Sequence, residues 1–465
     1  MRTNERNTVS GLWKKLTSKL GRSNQAPHGP TVIPRDEHCV SRRLISDSAL
    51  KVIHRLNQAD HEAYLVGGGV RDLLLGGEPK DFDVATDATP EEVRALFRNS
   101  RIIGRRFRIV HVRFGREVIE VTTFRGNHDA PQTNSKAKAK HSARNESGML
   151  LRDNVYGSMD EDALRRDLSI NALYYSSRDF AVYDFVGGLD DLNNRLVRII
   201  GDPETRYRED PVRMLRVVRF AAKLDFDIEA NTEAPLTKLA PLLEDIAAAR
   251  MFDEVLKLFM NGRALQTYAL MQRYGLFAPL FPATQRLLDT QSPATTELIH
   301  QGLANTDARI QEGKPVTPAF LYAILLWPVV KQLHQELLDD GVPPIPALHQ
   351  AAERCLHKQQ QRVAIPKRFS LPMRDIWELQ LRFEKQSGKR AAQLVENRYF
   401  RAGYDFLLLR EQAGEVEGQL SQWWQAFYEA QPDTRQGMQQ HAQDDSDRER
   451  RPRPRRRRRR PRKDT

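Results

Sequence analysis

The chain has 465 residues, of which 40% are hydrophobic and 29% charged, and its mean hydropathy is −0.61. This length is about three times that of a typical domain, so we expect two or three domains with a sizeable core. The longest nearly apolar run, 319–330, contains Pro328 and is shorter than the roughly 20 residues that cross a bilayer, which argues against a transmembrane helix. The two cysteines, Cys39 and Cys355, exclude a disulfide framework and favour a reducing, cytoplasmic location.

Residues 1–45 are polar and interrupted by proline and glycine, and they predict a disordered leader. Leu12, Leu16 and Leu20 recur at helical spacing beside lysines, so a short basic helix in peripheral contact with a membrane is the alternative. The leader is favoured because the apolar stripe is short. The segment also lacks the continuous apolar stretch of a signal peptide.

Helices and strands mix over residues 46–200. The hydrophobic periodicity predicts a helix at 48–57, a strand at 63–66, a glycine turn at 67–69 and a helix at 70–75. A strand at 82–85 and a helix at 90–97 with a capping box are predicted next. They are followed by strands at 108–114 and 118–124, helical spacing at 161–175 and a strand at 180–186. Polar residues 126–147 predict a mobile loop within this domain. We therefore expect an α/β (α+β) head with a small mixed sheet.

Everything after about residue 202 predicts helices, which we divide into a neck over 201–262 and a body over 263–430, followed by a disordered tail over 431–465. Residues 448–465 carry a net charge of +10 out of the +12 of the whole chain. Such a segment predicts salt-sensitive nucleic-acid binding, with a solubilising tail as the alternative. The candidate RNA-binding residues are the six consecutive arginines Arg455, Arg456, Arg457, Arg458, Arg459 and Arg460.

Two acidic residues in the head suggest phosphoryl transfer. Asp81 and Asp83 are expected on one face of a strand, with Phe82 directed into the core, because strand side chains alternate. Neighbouring carboxylates repel unless a divalent cation lies between them, and Mg²⁺ accepts such oxygen ligands together with phosphate. The glycine turn would let a triphosphate approach the backbone. Arg71 opposes the dipole of the following helix, which favours a phosphate partner over a structural role.

Four ordered motifs are similar to those of polymerase-β-type nucleotidyltransferases, in the bacterial branch that contains CCA-adding enzymes and poly(A) polymerases. They are LVGGGVRD at 65–72 with LLLG at 73–76 and DFD at 81–83, EVTTFR at 120–125, RRDLSINAL at 165–173, and EDPVRMLR at 209–216. The segment LLRDNVYG at 150–157 and the arginine-rich C-terminus resemble the poly(A) polymerase members. The expected fold is thus a nucleotidyltransferase head followed by all-α neck and body domains.

This resemblance implies template-independent transfer of AMP from ATP to RNA 3′ ends, promoting RNA decay. Asp81 and Asp83 would hold two Mg²⁺ ions, for which Mn²⁺ is a substitute. Asp167 matches the family's third acidic position and is the favoured third carboxylate. Glu120 competes with it, because a neighbouring strand could bring Glu120 beside the first two.

The resemblance also implies contacts with the nucleotide. Its candidate residues are Gly67, Gly68, Arg71, Asp72, Arg125, Arg166 and Asn171 in the head, and Asp210, Arg213 and Arg216 in the neck. Asn171 is expected to share a helix face with Asp167. In the neck, Arg213 and Arg216 would read the base with Asp210 orienting them, whereas a surface ion-pair lattice is the alternative.

RNA 3′ ends and ATP are therefore the expected partners, with RNA-chaperone or RNA-degradation proteins as further candidates. Basic and aromatic residues alternate over 367–404, a pattern that suits a groove for single-stranded RNA, although the aromatic residues also fit a core. Two other functions stay open: CCA addition to tRNA, and a non-catalytic RNA-binding scaffold.

Overall fold

The computed structural model describes residues 29–440, except 105–107, 127–141, 145–149, 154, 291–292, 387–388, 432–433 and 436. Residues 1–28 of the expected leader, most of the 126–147 loop and the arginines at 455–460 lie outside the described residues. The chain divides into two compact units, residues 1–143 with 151–193 and residues 144–150 with 194–465. Among the described helices, none is long and apolar enough to cross a membrane.

The first unit is built on an eight-stranded sheet in the order β1-β10-β9-β2-β3-β6-β5-β4. These strands are β1 (Thr31–Ile33), β2 (Ala63–Val66), β3 (Asp83–Thr86), β4 (Ser100–Ile103), β5 (Ile109–Phe114), β6 (Glu117–Thr123), β9 (Leu173–Tyr175) and β10 (Val182–Asp184). The pair β3 and β6 is parallel, and the other pairs of this sheet are antiparallel. Two further strands, β7 (Ser142–Arg144) and β8 (Leu150–Asp153), form a separate two-stranded sheet.

Helices of the first unit cover parts of both sheet faces. They are α1 (Asp47–Gln58), α2 (Gly68–Leu74), α3 (Pro90–Leu96), α4 (Met159–Arg165) and α5 (Gly188–Asn193). On one face, α1 and α3 pack against strands β3 to β6, which buries the alternate apolar residues of those strands. On the other face, Ala163 of α4 joins a buried cluster with Val66, Ala85, Phe124 and Tyr174.

The expected mixed α/β head is confirmed, and several elements differ from their predicted bounds. The helix predicted at 70–75 begins at Gly68, so only Gly67 forms the turn. The helix predicted over 161–175 ends at Arg165, where the backbone turns extended, and a 3₁₀ helix (Ser169–Asn171) and β9 follow. Short apolar runs fit both periodicities, which explains this error. Strand β4 was not predicted, and β7 lies inside the segment predicted as a loop. Strand β1 lies within 1–45, where a disordered leader was expected, because its pairing with β10 orders this part of the chain.

Among the described residues from 194 onward, the second unit is helical, as predicted, apart from one short parallel pair, β11 (Leu196–Val197) with β12 (Asp227–Ile228). Its first helices are α6 (Pro203–Glu209), α7 (Val212–Leu224), α8 (Ala230–Glu233), α9 (Leu236–Leu239), α10 (Ala248–Phe259) and α11 (Ala264–Arg273). The later helices are α12 (Pro282–Asp289), α13 (Pro293–Gln311), α14 (Pro318–Asp339), α15 (Pro344–Gln359), α16 (Lys367–Phe383), α17 (Lys389–Val395), α18 (Phe400–Gln412) and α19 (Gly418–Glu429).

Helix α5 fixes the 3₁₀ helix that follows α4. Buried Asp184 accepts hydrogen bonds from the backbone N–H groups of Gly188 and Leu189 at the start of α5. Ser169 donates its hydroxyl hydrogen to the buried carboxylate of Asp191. The two elements approach so closely that a Cβ atom on Gly188 would overlap the carbonyl oxygen of Ser169. A glycine is therefore required at 188.

Replacing Gly188 by alanine should destabilise the first unit, because the added methyl group must displace the backbone at Ser169. We expect a loss of about 2 to 4 kcal/mol in the free energy of unfolding, measured by urea titration with circular dichroism. Asn193→Ala, at the exposed end of the same helix, is the control and should change this free energy by less than about 0.5 kcal/mol. Equal effects of the two substitutions would contradict the close packing.

Candidate active site

Acidic residues from two neighbouring strands meet at the middle of the sheet. Asp83, the first residue of β3, pairs in register with Glu120 of β6. Asp81 precedes the strand and is exposed, so the prediction that it lies within the strand is wrong, whereas Phe82 is buried as predicted. Burial and the nearby carboxylates of Glu120 and Asp81 raise the pKa of Asp83 to about 6, while Arg166 acts in the opposite direction. The site therefore brings like charges together.

Glu120 rather than Asp167 is the acidic neighbour of Asp83 on the sheet. Asp167 follows the end of α4 instead of lying in a helix, and its carboxylate accepts the N–H of Leu168 at 2.9 Å. Asn171 belongs to the 3₁₀ helix, so the expected shared helix face of Asp167 and Asn171 is absent. The strand pairing thus favours Glu120, the alternative that the sequence had left open.

These carboxylates fit a hard divalent cation. In the described part of the chain, no three His, Cys, Asp or Glu side chains are already gathered as a metal site. Mg²⁺ in nucleotide-binding proteins commonly takes only one or two carboxylates, together with phosphate oxygens and water. Burial is the main cause of the raised pKa of Asp83, and the negative charges of Glu120 and Asp81 add to it, so further positive charge at this point would stabilise the ionised carboxylate. A cation between Asp83 and its acidic neighbours would supply that charge.

Gly67 lies against both the acidic and the basic side of the site. Its backbone has φ +73°, a conformation that favours glycine. A Cβ atom there would lie 3.7 Å from Asp83 Oδ2 and 3.7 Å from Arg166 Nη1. The main chain at Gly67 is therefore close to both the Asp83 carboxylate and the Arg166 guanidinium group. Gly68, the next residue, begins α2.

Arg166 is held by a hydrogen-bond network that was not predicted from the sequence. Its Nη2 is 3.0 Å from Asp162 Oδ2, and its Nε donates to the Tyr174 hydroxyl at 2.9 Å. The same hydroxyl donates to Asp162 at 2.7 Å. Burial alone would lower the pKa of Arg166, but Tyr174 and Asp162 together raise it, so the group stays charged. Asp162 lies four residues before Arg166 in the sequence, a spacing that could have indicated the pair.

Arg125 adds a second positive charge beside this network. Burial lowers the pKa of Arg125, Asp162 raises it and Arg166 lowers it. The backbone N–H of Arg125 donates to Asp162 Oδ1 at 3.2 Å. Asp162 thus interacts electrostatically with the guanidinium groups of both Arg125 and Arg166. The combined positive charge of these two groups favours an anionic ligand such as a triphosphate.

Arg71 differs from its expectation. Its side chain is only 2% exposed, donates from Nη1 to Asn171 Oδ1 at 2.6 Å, and donates to Asp72 Oδ1 from Nε at 2.8 Å and from Nη2 at 2.6 Å. These partners give Arg71 a structural role, so the argument that it requires a phosphate is wrong. Three predicted residues, Arg71, Asp72 and Asn171, do meet, and they tie α2 to the 3₁₀ helix.

In the second unit, the predicted base-reading residues lie in an ion-pair network at the start of α7. Arg213 Nη1 donates to Glu209 Oε2 at 2.8 Å, and Glu209 also binds Arg206 at 3.1 Å. Asp210 forms a bidentate pair with Arg250 of α10, at 2.8 and 2.7 Å. Arg250 was not among the predicted residues, and the carboxylate that pairs with Arg213 is that of Glu209 rather than the expected Asp210.

Arg216 lies along the same helix, with its guanidinium carbon 5.8 Å from the centre of the Phe220 ring. In the body, the aromatic residues of the expected RNA groove are mostly core residues, since Trp377 and Phe383 are fully buried and Phe400 and Tyr404 nearly so. Burial therefore favours a role for these aromatic residues in the hydrophobic core over a role in stacking on RNA bases.

Three family descriptions match consecutive parts of the chain. The poly A polymerase head domain matches residues 63–198, a probable RNA and SrmB-binding site of polymerase A matches 225–288, and the polymerase A arginine-rich C-terminus matches 340–463. The chain is 49% identical over 438 residues to poly(A) polymerase I of Salmonella typhimurium strain LT2, covering 93% of each chain. It is 50% identical over 432 residues to poly(A) polymerase I of Escherichia coli O157:H7, covering 91% of this chain and 92% of the relative.

CCA-adding enzymes are more distant relatives. The one from Bacillus velezensis is 35% identical over 232 residues, half of this chain and 55% of the relative. The crystal structure of the Bacillus stearothermophilus CCA-adding enzyme in complex with CTP is similar with a TM-score of 0.52 and 26% identity, covering 81% of this chain and 80% of that one. The fold of the chain is thus that of a nucleotidyltransferase.

Replacing Asp162 by asparagine should destabilise the first unit, because Arg166 and Arg125 would lose a shared buried countercharge. We expect a loss of about 2 to 4 kcal/mol in the free energy of unfolding. The check is urea denaturation of this variant beside Asp160→Asn, an exposed carboxylate in the same helix, which should cost less than about 0.5 kcal/mol. A near-neutral Asp162→Asn would show that the network contributes little.

Proposed function

The chain belongs to the family of bacterial poly(A) polymerases I and is a polynucleotide adenylyltransferase, and from this premise we propose how it extends RNA 3′ ends with AMP from ATP. The observation that carries the proposal is the pairing of Asp83 with Glu120 beside Gly67 and Arg166. It combines carboxylates for a cation, a bare backbone for close approach and a guanidinium group for phosphate. Each of these is a requirement of nucleotidyl transfer.

In this mechanism Asp81, Asp83 and Glu120 would hold two Mg²⁺ ions, with Mn²⁺ as a substitute, and Asp167 becomes the less favoured third carboxylate. When bound, the ions make the RNA 3′-hydroxyl a better nucleophile and stabilise the departing pyrophosphate. Arg166, with Arg125 beside it, attracts the triphosphate. Gly67 and Gly68 let the phosphates approach the main chain. Arg71, Asp72 and Asn171 act by holding α2 in place.

We further propose that Asp210, Arg213 and Arg216 contribute to recognition of the adenine base. Their support is the paired carboxylates and guanidinium groups at the start of α7, which can accept from and donate to a base edge. Arg250 would position Asp210 through their bidentate pair. The structural alternative, an ion-pair lattice, is already visible in the contacts of Glu209.

An unpaired 3′ extension gives degradative enzymes an end to bind, so we propose that polyadenylation by this protein promotes RNA decay in the cytoplasm. RNA-chaperone or RNA-degradation proteins are the corresponding protein partners. CCA addition to tRNA is the second candidate, because the fold resembles that of a CCA-adding enzyme. A non-catalytic scaffold is disfavoured because the pairing of Asp83 with Glu120, close to Gly67 and Arg166, supports a catalytic role.

Incubation of the full chain with Mg²⁺, a short unstructured RNA and one nucleoside triphosphate at a time tests the function. Long ladders with ATP alone are expected on a sequencing gel, and Asp81→Asn and Asp83→Asn should lower the rate by about a thousandfold or more with an unchanged circular dichroism spectrum. Extension only of tRNA, ending after CCA, would identify the second candidate. RNA binding without incorporation would support the scaffold.

The third carboxylate is decided by a matched pair of variants. Glu120→Gln should lower the rate of AMP transfer by about a hundredfold or more, because the charge beside Asp83 is lost, whereas Asp167→Asn should change it by less than about tenfold. Single-turnover measurement at saturating ATP separates the chemical step from binding. The reverse order of effects would return Asp167 to the catalytic set.

The arginine-rich tail should dominate salt-dependent RNA binding. Replacing all six residues Arg455–Arg460 by glutamine is expected to weaken binding and to reduce the slope of log K against log salt by about 0.7 for each RNA phosphate that is no longer neutralised. Replacement of the same residues by lysine keeps the charge and should retain most of the slope. An unchanged slope in the glutamine variant would refute this role.

A further inference from the structure

The acidic pair of the active site continues as a row across the sheet. Asp83 of β3 pairs with Glu120 of β6, Glu120 pairs with His111 of β5, and His111 pairs with Arg101 of β4. Paired residues on adjacent strands point to the same face and lie about 4.8 Å apart. One face therefore carries an acid–acid–histidine–arginine row that starts at the catalytic carboxylates.

In the described part of the chain, the outer strands are exposed on this face and buried on the reverse face. Val110 and Val112 of β5 are at most 1% exposed, on the side that α1 and α3 cover. On the opposite side of the same strands, Arg101 and Arg113 are exposed. We call the surface formed by His111 and Arg113 of β5 with Arg101 of β4 the open sheet face.

The charge of the open sheet face is unbalanced. His111 donates its Nε2 hydrogen to Glu120 Oε1 at 3.2 Å, which links the face to the active site. Within the described part of the chain, neither Arg101 nor Arg113 has a carboxylate partner at ion-pair distance. A positive edge strand also prevents aggregation, and that structural role would suffice for Arg101 on β4. It does not explain Arg113, because β5 lies inside the sheet.

The direction of the reaction indicates what this face binds. Gly67 and Arg166 lie on the β2 side of Asp83, where the triphosphate is proposed, and the open sheet face lies on the β6 side. In phosphoryl transfer the attacking and leaving oxygens are roughly in line, so the RNA 3′-hydroxyl enters opposite the pyrophosphate. We propose that Arg101 and Arg113 bind the last phosphodiester groups before the RNA 3′ end, an inference that rests on the proposed function.

The test pairs two protein variants with two primers, using the full chain. One primer is a short natural RNA, and the other has uncharged methylphosphonate groups at its last two linkages. The double variant Arg101→Gln/Arg113→Gln should lower kcat/KM for the natural primer by about tenfold and leave KM for ATP unchanged. The uncharged linkages should cost the unsubstituted protein a similar factor and the variant almost nothing. If the arginine substitutions and the uncharged linkages each lower kcat/KM independently, so that their factors multiply when combined, the proposal is overturned.

Two controls keep the result specific. Lys51→Gln/Arg94→Gln removes two exposed cations from the helices on the opposite face and should leave kcat/KM for both primers unchanged. If the unsubstituted protein transfers no AMP to either primer, polyadenylation itself fails. Binding of the two primers without ATP, followed by fluorescence anisotropy, then decides the surface separately. Equal discrimination between primers by the unsubstituted protein and the arginine variant would refute it.

Discussion

The register of β3 against β6 is the constraint on which the active site depends. It fixes Asp83 beside Glu120 on a partly buried part of the sheet, where like charges repel. Apolar packing of Val84 and Val121 on the reverse face holds this register, because a shift by one residue would expose them. Folding thus keeps the two carboxylates together against their repulsion, and in the proposed mechanism a bound cation would reduce that repulsion.

The positive side of the site is organised by a different interaction. Asp162 is nearly buried, and with Tyr174 it orients Arg166 while accepting the backbone N–H of Arg125. A guanidinium group that is already fixed needs little reorganisation when a phosphate arrives, and such preorganisation is a main source of catalytic rate. Gly67 completes the arrangement by leaving space between the basic and acidic sides.

Sequence patterns predicted the local features well. Helix α1, strand β2 and the capping box of Thr89 with Glu92 follow from short-range periodicity and hydrogen bonding, and all are present. Motif resemblance identified the nucleotidyltransferase head.

Contacts between distant segments were beyond prediction from the sequence alone. The choice of Glu120 over Asp167 depends on which strands pair, and the partnership of Asp210 with Arg250 joins residues 40 positions apart. Arg71 was misjudged for the same reason, since its partner Asn171 is 100 positions away.

The most direct test of the account is the Mn²⁺ affinity of the full chain, measured by electron paramagnetic resonance with a non-hydrolysable ATP analogue. Glu120→Gln should weaken Mn²⁺ binding about tenfold or more and Asp167→Asn should not. Weakening by Asp167→Asn alone would contradict the assignment of the cation to the β3–β6 pair.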